Sequence, residues 1–466
     1  MIEKSSQADF GTGSIGKLLF SMAVPAITAQ IINLLYNIVD RMYIGHIPVI
    51  GATALTGVGV TFPIITLITA FSSLIGMGGA ARAAIFMGRR DNNMAEEILG
   101  NCCAALLCIS VVLTTVILLF CEPLLMAFGA SADTIGYGTG YLRIYAAGTI
   151  FVQIVMGLNM FITSQGFAQV GMKTTIIGAV CNIVLDPVFI FLFDMGVEGA
   201  ALATIISQAV SAVWVLVFLS GKKTILRIRF SKLRLNPKII GPVMALGVSP
   251  FIMQSTESLL SICFNTQLQR FGGDLAVGAM AILSSVMQFG MLPLMGMTQG
   301  AQPIISYNFG ARNAGRVKKA FQLLLACSMV FTFVLLAACM LIPKAFVLIF
   351  SSDPALTEIS VWALRIYMGT FLFFGAQIAC QQTFIALGQA AVSLFLALLR
   401  KVILLIPLIF ILPRFFSDQV FAVFLAEPAA DLLAVLITVL MFTSRFRKIL
   451  SDLHHDSPVE QPVGKA

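Results

Sequence analysis

Four side chains able to hold a proton or a small cation, Gln30, Asn33, Asn37 and Asp40, stand at spacings of 3, 4 and 3 within the apolar stretch from Leu18 to Ile44. At about 100° per residue they share one narrow arc of a helix. An ionised Asp inside a membrane span costs about 2.5–3.5 kcal/mol on insertion scales. A residue kept there at that cost faces a wet cavity or a partner, and is functional by default. Asn182 and Asp186, one helical turn apart, repeat the combination. Pro187 follows and removes a backbone donor, which predicts a kink and a freed carbonyl beside the carboxylate. Thr204 lies further on, in Ala201-Leu202-Ala203-Thr204. If Asp40, Asn182, Asp186 and Thr204 converge, two carboxylates share a poorly solvated site, cannot both ionise cheaply and titrate as a unit. Such a site takes up and releases a proton; Na⁺ is the alternative occupant, because carboxylate, amide and hydroxyl oxygens are hard ligands. The plain alternative is that each carboxylate caps a helix or pairs with a neighbouring Arg, as Arg41 would allow for Asp40.

The second half carries a different set. Gln254, Glu257, Ser258, Ser261 and Asn265 share a face, with Asn265 in the place of Asp40. Arg400 and Lys401 occupy the depth of Val180 and Cys181, and Glu427 and Asp431 stand one turn apart. Burying these charges singly is costly, so Glu257, Glu427 or Asp431 is expected to pair with Arg400 or Lys401. The cluster is then a structural or gating ion-pair network, or else a second substrate-responsive site. Gln288, Met291, Met295, Gln299 and Gln302 form a further stripe. Its amide and thioether groups suit varied ligands, or simply pack helices.

The elements that must position these residues are membrane helices. Hydrophobic residues make up 59% of the 466-residue chain, charged residues 11%, and the mean hydropathy is +0.97. Apolar runs of about 20 residues predict twelve spans, at 15–40, 52–81, 95–120, 136–160, 166–192, 198–220, 239–268, 276–305, 318–342, 357–384, 389–412 and 419–443. This is an all-α integral membrane protein with two six-helix lobes, 1–220 and 239–443. A basic linker, 221–238, joins them, and a disordered tail, 444–466, ends the chain. The polar start lacks the pattern of a cleaved signal peptide. The nine cysteines lie in apolar spans without metal-ligand spacing, and His46, His454 and His455 fall in a loop and the tail.

With both ends inside a cell membrane, 21 of the 29 Lys and Arg residues fall in inner segments and only Arg41, Arg270, Lys344 and Arg414 in outer loops. That is a strong positive-inside bias. It accounts for the net charge of +8 and leaves no case for nucleic acid. The chain also matches itself at a shift of about 222 residues. Gly88-Arg89-Arg90-Asp91 answers Gly310-Ala311-Arg312-Asn313, Leu142-Arg143-Ile144-Tyr145 answers Leu364-Arg365-Ile366-Tyr367, and Gln165-Gly166 answers Leu387-Gly388. Two parallel repeats of six spans place a substrate path between them and suit a transporter that rocks two bundles.

At these residues the chain resembles the multidrug and toxic compound extrusion (MATE) family, of the MOP superfamily. The segments that carry the resemblance are Pro25 with Tyr36-Asn37-Ile38-Val39-Asp40-Arg41-Met42-Tyr43-Ile44-Gly45, Cys181-Asn182-Ile183-Val184-Leu185-Asp186-Pro187, Gly196-Val197-Glu198-Gly199-Ala200-Ala201 and Gln299-Gly300-Ala301-Gln302-Pro303. Ala426-Glu427-Pro428-Ala429-Ala430-Asp431 is similar to the branch of DNA-damage-inducible and staphylococcal-type bacterial pumps. The resemblance implies V-shaped lobes and export of drugs and organic cations by H⁺ or Na⁺ antiport. It implies coupling at Asp40, Asn182, Asp186 and Thr204, with protonation altering the first helix near Pro25. Another branch couples through a seventh-helix Glu and a tenth-helix Asp. Glu257 resembles the former, but the span from Trp362 to Thr383 contains no acid, so the first lobe is the coupling lobe. The expected cavity is lined by Gln30, Asn33, Tyr36, Asn37, Gln254, Glu257, Ser258, Ser261, Asn265, Gln288, Met291 and Met295. The expectation is a monomeric exporter in a bacterial inner membrane, with membrane lipid around it, no enzymatic activity, no cofactor and no resident metal beyond a possible Na⁺. The rival is a flippase for lipid-linked or anionic cargo, for which Arg400 and Lys401 speak.

Overall fold

A computed structural model describes residues 8–455, and among them there are helices and no strands. The first half holds α1 (Ile15–Gly45), α2 (Gly51–Gly59), α3 (Phe62–Gly88), α4 (Asn92–Ala127), α5 (Ile135–Ala147), α6 (Thr149–Ser164), α7 (Ala168–Pro187) and α8 (Gly196–Ser220). The second holds α9 (Pro237–Gly310), α10 (Ala314–Leu341), α11 (Pro343–Leu348), α12 (Pro354–Tyr367), α13 (Phe371–Ala386), α14 (Ala390–Leu398), α15 (Ile406–Ile411) and α16 (Gln419–His455).

Nine helical stretches among the described residues are long and apolar enough to cross a membrane, and two bent pairs, α5 with α6 (58°) and α12 with α13 (49°), bring that to 11. The 74-residue α9 counts twice, because Gly273 leaves helical geometry at φ 63° and ψ −159°. Only glycine takes that conformation freely. Leu260 and Phe264 before it and Ala279 and Leu283 after it fall in one apolar core. Twelve spans result. The break is a single hinge residue rather than the loop expected at 269–275. At the other end α16 runs past 443 to His455, so 444–455, expected in the tail, is helical, with Phe446 buried against Phe321 and Phe442. Residues 456–466 lie outside the described residues. Cys108 and Cys327 are exposed on their helices.

The repeat of about 222 residues is visible in the backbone. Arg90 (φ 63°) and Arg312 (φ 57°) are both left-handed, as are Gly166 (φ 92°) and Gly388 (φ 73°). After each arginine an Asx side chain caps the next helix: Asp91 accepts from the Met94 N–H at 3.0 Å and Asn313 from the Arg316 N–H at 3.1 Å. A π-helical turn follows α7 at Val188–Leu192 and another follows α14 at Leu399–Leu405.

Glycines let the two bundles touch backbone to backbone. A Cβ on Gly78 or Gly247 would run into α9 or α3 respectively, and one on Gly296 or Gly300 into α1. Two apolar cores mix residues of both halves, one around Phe161 with Val243, the other around Phe384 with Met22. The other two stay within single bundles, around Ile44 with Tyr141 in the first and around Phe264 with Phe424 in the second. The bundles are therefore joined at the end that carries Arg89, Arg90, the linker and Arg316, which we term the basic end. The segment before α1 straps that seam. The Ala8 N–H donates to the Gly166 carbonyl at 3.3 Å, while the Phe10 carbonyl accepts from Asn308 at 3.1 Å and Arg316 at 2.8 Å. The Thr12 hydroxyl and Gly11 N–H, at 2.6 and 2.8 Å, hold the Asp9 carboxyl below the ordinary carboxylate range.

Candidate functional site

In the first bundle, α1, α7 and α8 bring the four expected residues together. The Asn182 amide donates to Asp186 Oδ1 at 3.0 Å and lies 3.4 Å from Thr204 Oγ1. Thr204 in turn donates to the Ala200 carbonyl at 3.0 Å, which holds its oxygen toward Asn182. Asp40 is only 7% exposed, on α1 where that helix packs against α7. Asp40 Oδ1, Asp186 Oδ2 and Asn182 Oδ1 are all buried without a hydrogen-bond partner. Buried oxygens are rarely left so. Three of them in one place make an acceptor-only nest that a proton or a hard cation would satisfy. Arg41 does not neutralise Asp40 directly; its guanidinium lies over the Phe62 ring, 4.1 Å from the centroid.

Local sequence explains the arrangement. Pro187 has no N–H, so α7 ends there and continues as a π turn, leaving the Ile183 carbonyl without its helical donor. Asp186 thus sits on the last regular turn of α7. Buried Tyr141 and Tyr145, stacked 6.2 Å apart on α5, back this end of the bundle. Among the described residues no three His, Cys, Asp or Glu side chains are grouped for a metal ion.

A narrow cleft opens in front of the acids, lined by Gln30, Asn33, Tyr36, Asn182, Thr204 and Gln299 among others. Asp40 and Asp186 stand behind this wall, not in it. Asn37, expected in the cavity, donates instead to the Asn33 carbonyl of its own helix at 2.7 Å. Sequence reasoning missed Asn159 and Gln208 in the wall, whose side-chain oxygens have no partner. Gln208 follows Thr204 by one turn and was within reach of the same periodicity; Asn159 has no polar residue one turn before it on α6 that would make a stripe with Gln153, six residues back. Gln299 closes the cleft across the seam, accepting from Gln30 at 3.3 Å.

The second bundle brings its five charges together as pairs. Arg400 donates to Asp431 at 2.6 Å and Glu427 at 2.8 Å, with its guanidinium 4.4 Å above the Phe374 ring. Lys401 donates to Glu257 and to the Met253 carbonyl. Lys401 is buried, its side chain 4% exposed, whereas that of Glu257 is 64% exposed. Gln254 donates to Ser73 across the seam at 2.8 Å. Ser258 lies half-buried on that face, and Ser261, Asn265, Gln288 and Met295 are exposed; Met291 packs against the second bundle's core. These six residues do not line the cleft of the first bundle.

The MatE family model matches the chain over two stretches, residues 25–188 and 250–411. The multidrug export protein MepA of Staphylococcus aureus (strain NCTC 8325 / PS 47) is 24% identical over 434 residues, 93% of this chain and 95% of that one. MepA of Staphylococcus saprophyticus is 25% identical over 438 residues, again 93% and 95% of the two chains. Among solved structures, a MATE protein in the bent conformation superposes with a TM-score of 0.89 at 21% identity, covering 95% of this chain and 98% of that one. An outward-facing multidrug resistance MATE family transporter of the MOP superfamily gives 0.87 at 21% identity, covering 94% and 97%. With both stretches matched and twelve spans in two bundles, the chain belongs to the MatE family, the multidrug and toxic compound extrusion transporters, and is a membrane transporter rather than an enzyme.

Proposed function

We propose that this protein is a secondary active exporter of amphipathic, mainly cationic compounds, driven by antiport of H⁺ or Na⁺ through alternating access. The observation that carries this reading is the nest of unpartnered oxygens on Asp40, Asn182 and Asp186, one wall behind a cleft lined by amides, Tyr36 and methionines. Asp40 and Asp186 bind the coupling cation; Asn182 and Thr204 orient it. A cation entering the nest changes the charge behind Tyr36 and Asn33, both on α1, whose Pro25 lies nearer the basic end. Joining of the bundles at the basic end alone supports a form closed on the cytoplasmic side, with both termini in the cytoplasm and the cell membrane around the twelve spans. The exporter acts as a monomer and without a cofactor.

Lipid-linked or anionic cargo fits less well. Arg400 is enclosed by two carboxylates and Lys401 by Glu257 and a carbonyl, so neither cation is open to an anion. The second-bundle cluster is a structural or gating network on this reading. The test is ethidium extrusion from everted vesicles under an imposed H⁺ or Na⁺ gradient, comparing wild type with Asp40→Asn and Asp186→Asn at matched protein level. Loss of gradient-driven transport in both variants supports the site, and the effective gradient names the ion. Full transport in both sinks it.

A further inference from the structure

The linker between the bundles carries Lys222, Lys223, Arg227, Arg229, Lys232, Arg234 and Lys238 and no acid. A flexible loop of this composition would be an ordinary basic connection. This one is fastened to the first bundle. Gln165 Oε1 accepts from the Thr224 hydroxyl and from the Ile225 and Leu226 N–H groups, all within 2.8–2.9 Å. Asn101 accepts from the Asn236 N–H at 2.7 Å. Glu96 takes Arg229 at 2.9 Å and Lys232 at 3.0 Å. Leu226 is fully buried in the bundle core.

Fastening leaves a definite outer face. Glu96 uses up two of the seven cations, and among the described residues no carboxylate pairs with Lys222, Lys223, Arg234 or Lys238, all of them exposed. Amid them a short 3₁₀ turn at Phe230–Lys232 holds the Phe230 ring 92% exposed, and Leu235 is exposed beside Arg234. A rigid segment that presents unpaired cations around an outward aromatic ring matches the chemistry of a bilayer surface: cations at the phosphate level, ring below it. We infer that the linker is a docking surface for anionic phospholipid headgroups, with Phe230 entering the interface. Charge complementarity selects anionic over zwitterionic lipid, and the fastening to Gln165, Glu96 and Asn101 keeps the patch in one place, so that binding does not first have to order the loop.

The test uses the full chain in bilayer discs of phosphatidylcholine alone and with added phosphatidylglycerol, following thermal unfolding. Wild type is expected to unfold at a higher temperature with phosphatidylglycerol. The variant K222Q/K223Q/R234Q/K238Q should lose that gain while keeping its stability in phosphatidylcholine, and Phe230→Ser should reduce it. A control, R445Q/R447Q/K448Q, removes charge from the end of α16 and should retain it. The inference is overturned if wild type gains nothing from the anionic lipid. It is equally overturned if the control loses as much as the linker variant, since the attraction would then be diffuse.

Discussion

Asn182 donates its amide to Asp186 across 3.0 Å from one turn away, and leaves the second carboxylate oxygen buried with nothing to accept from. Half of the carboxylate is thus held in position by protein while the other half has no partner. Replacing Asp186 or Asp40 with Asn keeps the volume and removes the charge. Gradient-driven efflux should fall to background in either variant, while the unfolding temperature holds or rises, because a costly buried charge has gone. Asn182→Ala should leave both carboxylates in place and weaken transport less than either acid substitution. Vesicle transport and thermal unfolding in the same detergent check these outcomes.

The two cations of the second bundle should respond differently to removal. Arg400→Met strands Glu427 and Asp431, both buried, and should cost about 3–5 kcal/mol. Lys401→Met strands Glu257, whose side chain is 64% exposed rather than enclosed by protein, and should cost far less, on the order of 1 kcal/mol. If the two variants unfold alike, Glu257 does not face water.

At the seam, Gly247→Ala pushes a methyl into the Leu74 carbonyl and Gly310→Ala one into that of Ile85. Neither backbone atom can turn aside, so these changes should force the bundles apart at the basic end rather than repack side chains. Labelling of a cysteine placed at Ala168, beside the seam, by a membrane-impermeant thiol reagent should rise several-fold in both variants.

The strap before α1 should loosen in acid. The folded Asp9 carboxyl is held below 3.8, so its contribution is fully present above that value and lost as pH falls through the lower folded value. Asp9→Asn should show the loosened state at neutral pH. Proteolysis near Gly11 and Gly13 reads it out.

Much of the first-bundle site was legible because its residues announce themselves within a few turns. Asp40 ends a stripe on α1, and Asn182 with Asp186 is an isolated polar pair in an apolar helix. The left-handed turns at Arg90 and Arg312 were foreshadowed by a matching Gly–x–Arg–Asx order. Contacts across the seam were not legible. Gln30 and Gln299 lie 269 residues apart, and nothing local in either stripe names the other as its partner. Asn37 was misplaced for the opposite reason: its own helix offers a carbonyl one turn back, and that local bond competes with the cavity. The helix through Gly273 and the extension of α16 escaped notice because polarity marks where a membrane ends, not where a helix does.

Gly88 and Gly310 stand 222 residues apart, and each approaches the helix of the other, the first at the Tyr307 carbonyl and the second at that of Ile85, themselves an equivalent pair. A contact in which equivalent residues exchange places is the signature of a two-fold axis. In a half-length ancestor pairing with its own copy, a single substitution to glycine would have created both sides of this contact at once. Arg400 and Lys401 follow no such symmetry: at the same shift of 222 residues stand Gly178 and Ala179, without charge. The seam between the lobes therefore keeps the two-fold symmetry of the repeat, whereas the charges of the second lobe break it.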